Sequence, residues 1–515
     1  MKRVNYIFLI LLMGIIQSCD WLDLKPVDNY SIDNYWDTKD QVDRYIRAVY
    51  NQFRANQISF LKMGEFRGGS FETGQNTPFG QSKSDLNILS NDLSLEHPGI
   101  TAFGALYPTI MQINHGIDRI SKVTFLSEME KNYDLGMLYG LRAYCYFHLF
   151  RTYGGVPKVD YPKVLDGVDS AGELNLARSS ETEIYNFVRE DVAKSVEFFK
   201  DDNYTLTSDK SAYWSKAATQ MLRAEVLLWG CQVKPIGGNK VYSDNVTADL
   251  KTVKEILLEV KSKYNYLNSF TDVFATTKKD NEEMIFCIRY KLGEATNTFN
   301  AYLYPQANGN ASGYVYKNGT AVASADFLNL AGSGSVYSYQ YAGDFYDSFS
   351  EDDTRRDATF IDLYKKTVAA ANRAVLMTKF MGELDNNVRK FTNDWPVYRY
   401  MDVALLLAEV ESLQGGDPAS YINEVRQRAY GSKYTSHKYP RNGESAEDAI
   451  LEERAKEFVA EGKRWYDIRR MKGAELALKL QTGVSDAALK VKHLLWPIDN
   501  ATLNNDPLLE QTDGY

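Results

Sequence analysis

The sequence predicts a mainly α protein: helix pairs of the tetratricopeptide-like kind form a scaffold that carries long irregular loop insertions and few short strands. Three observations predict it. Apolar residues recur at three- and four-residue steps through several long blocks. Two of those blocks share a motif, Leu222-Arg223-Ala224-Glu225-Val226 and Leu406-Leu407-Ala408-Glu409-Val410, with Leu141-Arg142-Ala143 as a weaker third copy. Small residues at such steps let paired helices approach closely, and repeated pairs build a stack, here with irregular periods. Finally, two stretches, 64–98 and 291–341, lack the helical period and are rich in Gly, Asn, Ser, Thr and aromatics, so they read as long ordered loops.

At the N-terminus, Lys2 and Arg3 precede an apolar run from Val4 to Ile16, and Ile15-Ile16-Gln17-Ser18 leads into Cys19. A helix over that run would rise roughly 20 Å, too short for a hydrocarbon core of about 30 Å. It therefore reads as a secretory signal, residues 1–18, and not as an anchor. Its end is similar to the lipobox of bacterial lipoproteins, which makes Cys19 the expected lipidated first residue and the membrane attachment.

The helical blocks have readable ends. Leu138 to Tyr153 is apolar around most of its circumference and stops at Gly154-Gly155, with Pro157 beyond. Trp214 to Trp229 places Ala217, Ala218, Met221, Leu222, Glu225 and Leu228 on a wide face. Val397 to Leu413 is expected to be a helix with Pro396 near its start. After Gly415-Gly416, Asp417 is expected to cap a second helix with Pro418 in its first position, closing a helical hairpin.

Composition excludes several functions. The chain has 515 residues and a formal net charge of -9, and losing Lys2 and Arg3 leaves it more acidic still, which argues against nucleic acid as a partner. Past Cys19 only Cys145, Cys231 and Cys287 remain, in no metal or redox spacing, so the core and not disulfides must stabilise the fold. No low-complexity linker divides residues 19–515, which are read as one domain. His97, His115, His148, His437 and His493 show no ligand spacing, no EF-hand pattern appears, and no metal or cofactor is expected. His148, inside an apolar helix, reads as a hydrogen-bonded core residue. Glu453, Glu457 and Glu461 recur every four residues, and paired carboxylates can hydrolyse glycosides. Arg454, Lys456, Arg464, Arg469 and Arg470 are interleaved with them, so ion pairs within the helix and to its neighbours are the expected role.

Four stretches together resemble the SusD/RagB family of outer-membrane nutrient-binding lipoproteins. They are Cys19-Asp20-Trp21-Leu22-Asp23-Leu24-Lys25-Pro26; Leu141-Arg142-Ala143-Tyr144 through Tyr153-Gly154-Gly155-Val156-Pro157; the hairpin from Tyr398 to Ala429; and Glu453 through Arg470, followed by Leu495-Trp496-Pro497-Ile498 and Asp513-Gly514-Tyr515. The resemblance implies a lipid-anchored, cell-surface, non-catalytic protein of the outer membrane that captures glycans and passes them to a SusC-like TonB-dependent transporter. A peptide-binding protein of the RagB kind and a surface glycosidase are the alternatives.

The two irregular regions fit that expectation. A pyranose offers an apolar face to an aromatic ring and a rim of hydroxyls to Arg, Asn and Gln, which donate or both donate and accept. Candidate ligand contacts are Arg67, Phe71, Asn76 and Phe79 in the first region and Tyr302, Tyr304, Tyr314 and Tyr316 in the second. Within the first, Glu65-Phe66-Arg67-Gly68-Gly69 resembles a recurrent turn of the family.

Overall fold

The structure is a computed structural model that describes residues 35–73, 83–100, 103–167, 170–204, 210–298, 314–322 and 339–515. Its first half is helical. Helices α1 (Lys39–Ala55) and α2 (Gln57–Glu65) are followed by α3 (Tyr107–Ile120), α4 (Glu128–Tyr153), α5 (Glu181–Phe198), α6 (Lys216–Gln232) and α7 (Val246–Lys261). Start signals are local and explicit. Thr38, Ser127 and Ser180 each close a capping box with the Gln or Glu three residues on, and Ser215 and Asn245 cap α6 and α7. The predicted stop of α4 is also present, with Gly154 at φ 74° where a side chain would be strained.

Close packing explains a small residue beside the repeated motif. A Cβ on Gly140, just before Leu141-Arg142-Ala143, would lie 2.0 Å from the indole Nε1 of Trp214, so only glycine lets α4 and the start of α6 meet. Arg142, Glu225 and Glu409 of the motif turn inward as well. Arg142 makes two 2.7 Å bonds to Asp191 on α5. Glu225 accepts from Arg151 at 3.2 Å and from the Tyr398 hydroxyl at 2.8 Å, while Glu409, its counterpart in the second copy, accepts from Gln232 and Arg470 at 2.7 Å. His148 is buried, with Nδ1 3.1 Å from the Tyr466 hydroxyl.

Strands enter where the chain returns from the helical stack. β1 (Met284–Ile288) pairs antiparallel with β7 (Trp395–Arg399); β2 (Tyr314–Tyr316), β3 (Phe360–Lys365) and β4 (Arg373–Met377) form an antiparallel sheet in that order; β5 (Glu383–Asp385) and β6 (Val388–Lys390) form a hairpin. Asn386 and Asn387 at its tip both have positive φ, the conformation a tight hairpin turn requires. The helix expected from Val397 begins instead at Tyr400: α10 spans Tyr400–Leu413. Residues 395–399 are extended because Pro396 and its neighbours pair with β1, as Phe286 does with Tyr398. Pro418 likewise precedes α11 (Ala419–Tyr430) instead of opening it, with the Asp417 carboxylate accepting from the Ala419 N–H at 2.9 Å. The stretch 64–98, expected to be irregular, contains a short helix at Lys83–Leu89.

The C-terminal helices α12 (Ala446–Glu457) and α13 (Arg464–Arg470) complete one buried cluster that runs from Val42 to Leu509. Tyr314, Val322, Leu363, Ala374 and Leu376 form a second, small cluster under the three-stranded sheet. At the centre of the C-terminal half lies a buried charge network. Arg399 reaches Glu283 at 2.8 Å, Glu457 at 2.6 Å and Glu461 at 2.9 Å. Arg355 bridges Asp353, Glu453 and Glu457; Arg426 holds Glu453 at 2.8 Å; Arg428 holds Glu283 and Glu457; Lys379 holds Glu461 at 2.5 Å. The three glutamates are thus structural, as expected, but their partners come mostly from other elements. Along α12 itself the paired step is Lys456 to Glu452.

Burial would raise these carboxyl pKa values, yet the guanidiniums facing them prevail, and Glu453, Glu457 and Glu461 are held below the usual range. A depressed carboxyl pKa contributes stability that is present above the unfolded value and lost as the pH falls through the folded one. The melting temperature should therefore hold near neutrality and drop steeply on acidification below about pH 4. Glu457→Gln should cost about 3–5 kcal/mol in urea unfolding at pH 7, because it takes a shared charged partner from three buried guanidiniums. A variant as stable as the parent would show that the network does not hold the fold.

Candidate ligand-binding cleft

The two irregular regions meet. Phe71 forms a bridge to Tyr341, and Tyr341 forms another to Val375 on β4, so the first region is tied through the end of the second to the three-stranded sheet. The Phe71 and Tyr341 rings stack at 4.4 Å, with Phe66 and Tyr339 packed around Phe71. These rings are buried and brace the junction.

The turn that leads into it is fixed from below. Glu65 accepts from the N–H groups of Ala460 at 2.7 Å and Gly462 at 2.9 Å, and burial pushes its carboxyl up to about 7. Gly64 allows the approach, since a Cβ there would sit 1.7 Å from the Gly462 carbonyl oxygen. Arg67 is fully buried: Nε donates to Asn91 at 2.7 Å, Nη2 to the His493 carbonyl at 2.7 Å, and the guanidinium lies 4.2 Å from the Trp465 ring centroid. Arg67 and Phe71 therefore face the interior. Tyr314 faces the small cluster under the sheet, while Asn76, Phe79, Tyr302, Tyr304 and Cys19 lie outside the described residues.

Among the described residues, Tyr316 is the candidate that reaches an open surface. It borders a cleft of ≈ 720 Å³ between the three-stranded sheet and two short helices, α8 (Gly343–Asp347) and α9 (Thr354–Thr359). Tyr346 from α8 stands in it with two guanidiniums near its ring, Arg356 5.3 Å and Arg373 5.5 Å from the centroid. Arg356 donates to Asp357 at 2.9 Å, and Tyr346 donates to the same carboxylate at 3.4 Å. Arg373 clamps Asp347 with bonds of 2.7 and 2.8 Å and Asp362 with bonds of 2.9 and 3.1 Å. The Arg373 hydrogen bonds hold the Asp347 carboxyl below its usual range. Such planar charged pairs beside an aromatic face can bracket adjacent hydroxyls while a ring packs on Tyr346. Among the described residues, no three His, Cys, Asp or Glu side chains converge in a way that could hold a metal ion.

Sequence reasoning missed Tyr346, Arg356, Asp357 and Arg373. The one available signal was the charged run Asp352-Asp353-Thr354-Arg355-Arg356-Asp357, and it does not separate its members. Asp353 caps α9, Arg355 points into the buried network, and Arg356, the next residue, points into the cleft.

A helical-repeat scaffold whose insertions build an open polar and aromatic cleft is the class that fold and site define. Residues 362–515 match the SusD family, and residues 20–223 match a family described as starch-binding and associating with the outer membrane. A SusD superfamily protein of Bacteroides fragilis NCTC 9343 is 35% identical with a TM-score of 0.81, over 93% of this chain and 100% of that one. NanU of B. fragilis is 32% identical with a TM-score of 0.80, over 96% and 100%. Surface glycan-binding protein A of Bacteroides thetaiotaomicron, solved with laminarihexaose, shares the fold at 17% identity and a TM-score of 0.66, over 93% and 100%. The chain belongs to the SusD family.

The placement of these residues separates scaffold from surface. Arg67→Ala should lower stability by about 3 kcal/mol, since it leaves buried backbone carbonyls and Asn91 without their donor. Tyr346→Ala, at the half-exposed cleft, should shift the denaturation midpoint by less than about 1 kcal/mol. Urea titrations of both variants check this, and equal losses would contradict the assignment.

Proposed function

We propose that the protein is a non-catalytic glycan-binding lipoprotein of the outer-membrane surface. Residues 19–515 act as one unit, anchored through lipid on Cys19, and pass captured oligosaccharides to a SusC-like TonB-dependent transporter. The observation that carries the reading is the cleft, where Tyr316, Tyr346 and Phe349 stand beside the Arg356–Asp357 pair and the Asp347–Arg373–Asp362 clamp. The stretches that flank it in sequence, 299–313 and 323–338, add aromatics and amides and a single charged residue, Asp326. Tyr302 and Tyr304 in the first of them, and Asn76 and Phe79 in the other irregular region, are proposed as further sugar contacts.

Binding without chemistry is supported by the state of the carboxylates. A glycosidase keeps one carboxyl protonated opposite another across the scissile bond. In the cleft, Asp347 and Asp362 share one arginine, Asp357 is paired to Arg356, and Glu351 is exposed to solvent. Glu453, Glu457 and Glu461 are buried in ion pairs, out of reach of any polymer. The matched family's description as starch-binding and outer-membrane-associating, and the laminarihexaose complex of a protein with this fold, support the ligand class and the location.

The test is affinity electrophoresis and calorimetry of the chain from Asp20 onward against a panel of polymeric and host-type glycans, with product analysis on the same samples. Binding without breakdown is expected, and Tyr316→Ala and Tyr346→Ala should each weaken it about tenfold, equivalent to about 1.4 kcal/mol. Release of shorter sugars would replace the reading with a glycosidase. Failure to bind any glycan, with retention of unstructured peptides, would replace it with peptide capture.

A further inference from the structure

A second concavity, of ≈ 250 Å³, lies far along the chain from the cleft's residues, among α5, α6 and α7. Its floor is apolar, formed in part by Val192, Val196 and Leu227, and two guanidiniums, Arg189 and Arg223, border it. Both arginines are half-buried, and among the described residues neither has a carboxylate within ion-pairing distance. The one acid that shares the groove, Asp249, accepts instead from the Ser243 hydroxyl at 2.7 Å.

The repeated motif shows how unusual this is. Arg142, in the weaker copy Leu141-Arg142-Ala143, is sealed by two bonds to Asp191 from the following helix. Arg223 holds the same place in Leu222-Arg223-Ala224, yet no acid of α7 closes on it. Desolvation weakens its hold on its proton, and Asp249 offsets that only in part. An acidic protein thus keeps two cations, neither in an ion pair among the described residues, on an apolar floor. A half-buried guanidinium without an acceptor gives up hydration that a bound carboxylate would restore with charge-assisted bonds.

We propose that this groove binds an acidic peptide segment of a protein partner, one carboxylate held by Arg189 and Arg223 and a neighbouring apolar side chain seated on Val192, Val196 and Leu227. Charge complementarity selects the acid, and the floor selects the peptide. An acidic sugar would press its hydroxyl rim against valine and leucine, where Thr252 supplies the one uncharged polar side chain of the lining. An acidic residue next to an aliphatic one presents both chemistries at the required reach, in the manner of arginine-cluster recognition of acidic motifs.

The probe is a fluorescein-labelled peptide, LDLEL, followed by anisotropy with the chain from Asp20 onward, beside its uncharged isostere LNLQL. LDLEL should bind and LNLQL should not, and binding should weaken as salt rises. The double variant R189A/R223A should bind at least about tenfold more weakly, a loss of about 1.4 kcal/mol, with unchanged glycan affinity. The charge-keeping R189K/R223K should recover most of the binding, which guards against a folding defect in the alanine pair. Equal binding of both peptides, undiminished binding by R189A/R223A, no binding of LDLEL, or its displacement by glucuronate would each overturn the proposal.

Discussion

Glu457 holds the C-terminal half together. Its two oxygens face Arg355, Arg399 and Arg428, which arrive from α9, the end of β7 and α11. Each of those arginines has a further acid, so Glu283, Asp353, Glu453 and Glu461 join the same network. Taking ions out of water costs several kcal/mol each, and the cost is offset only where every ion has its partners in place. A network of this kind therefore demands one geometry. It fixes α9 through Arg355 and, through Arg399, the strand that starts α10.

That constraint reaches the cleft. Arg355 and Arg356 are adjacent on one short helix, so anchoring the first in the network presents the second to Tyr346 and Asp357. Behind the cleft, Arg373 of β4 holds the lining acids Asp347 and Asp362, and Val375 of the same strand receives the bridge from Tyr341 that brings in Phe71 and the first irregular region. The cleft's polar groups are thus held by rigid elements, while Tyr316, Lys317 and Asn318 at its edge come from the second irregular region. A division of this kind suits a binding scaffold, since loops can vary without disturbing the charges beneath them.

The glycine stop of α4 was legible because it depends on neighbours a few residues away, and the apolar run around His148 and the cations among Glu453, Glu457 and Glu461 marked those side chains as structural, although their partners come from distant elements. The start of α10 was not. Val397 to Arg399 continue the apolar pattern of the helix that follows, and only the ladder to β1 makes them strand. Arg67 and Phe71 have the composition of ligand contacts, but burial turns them into braces. Nothing in a list of residue types distinguishes an arginine stacked on an internal tryptophan from one facing solvent.

The sequence by itself determined the class of the fold, its family, the acidic character of the chain, and one of the irregular regions, 291–341, that contributes to the cleft. Those follow from periodicity, composition and motif order, which are local or additive properties. Tertiary structure decided which side chains line the cleft, which of two adjacent arginines enters it, and which copy of the repeated motif leaves its arginine unpaired. These are questions of which distant groups come within a few ångströms, and charge and burial act only at that distance.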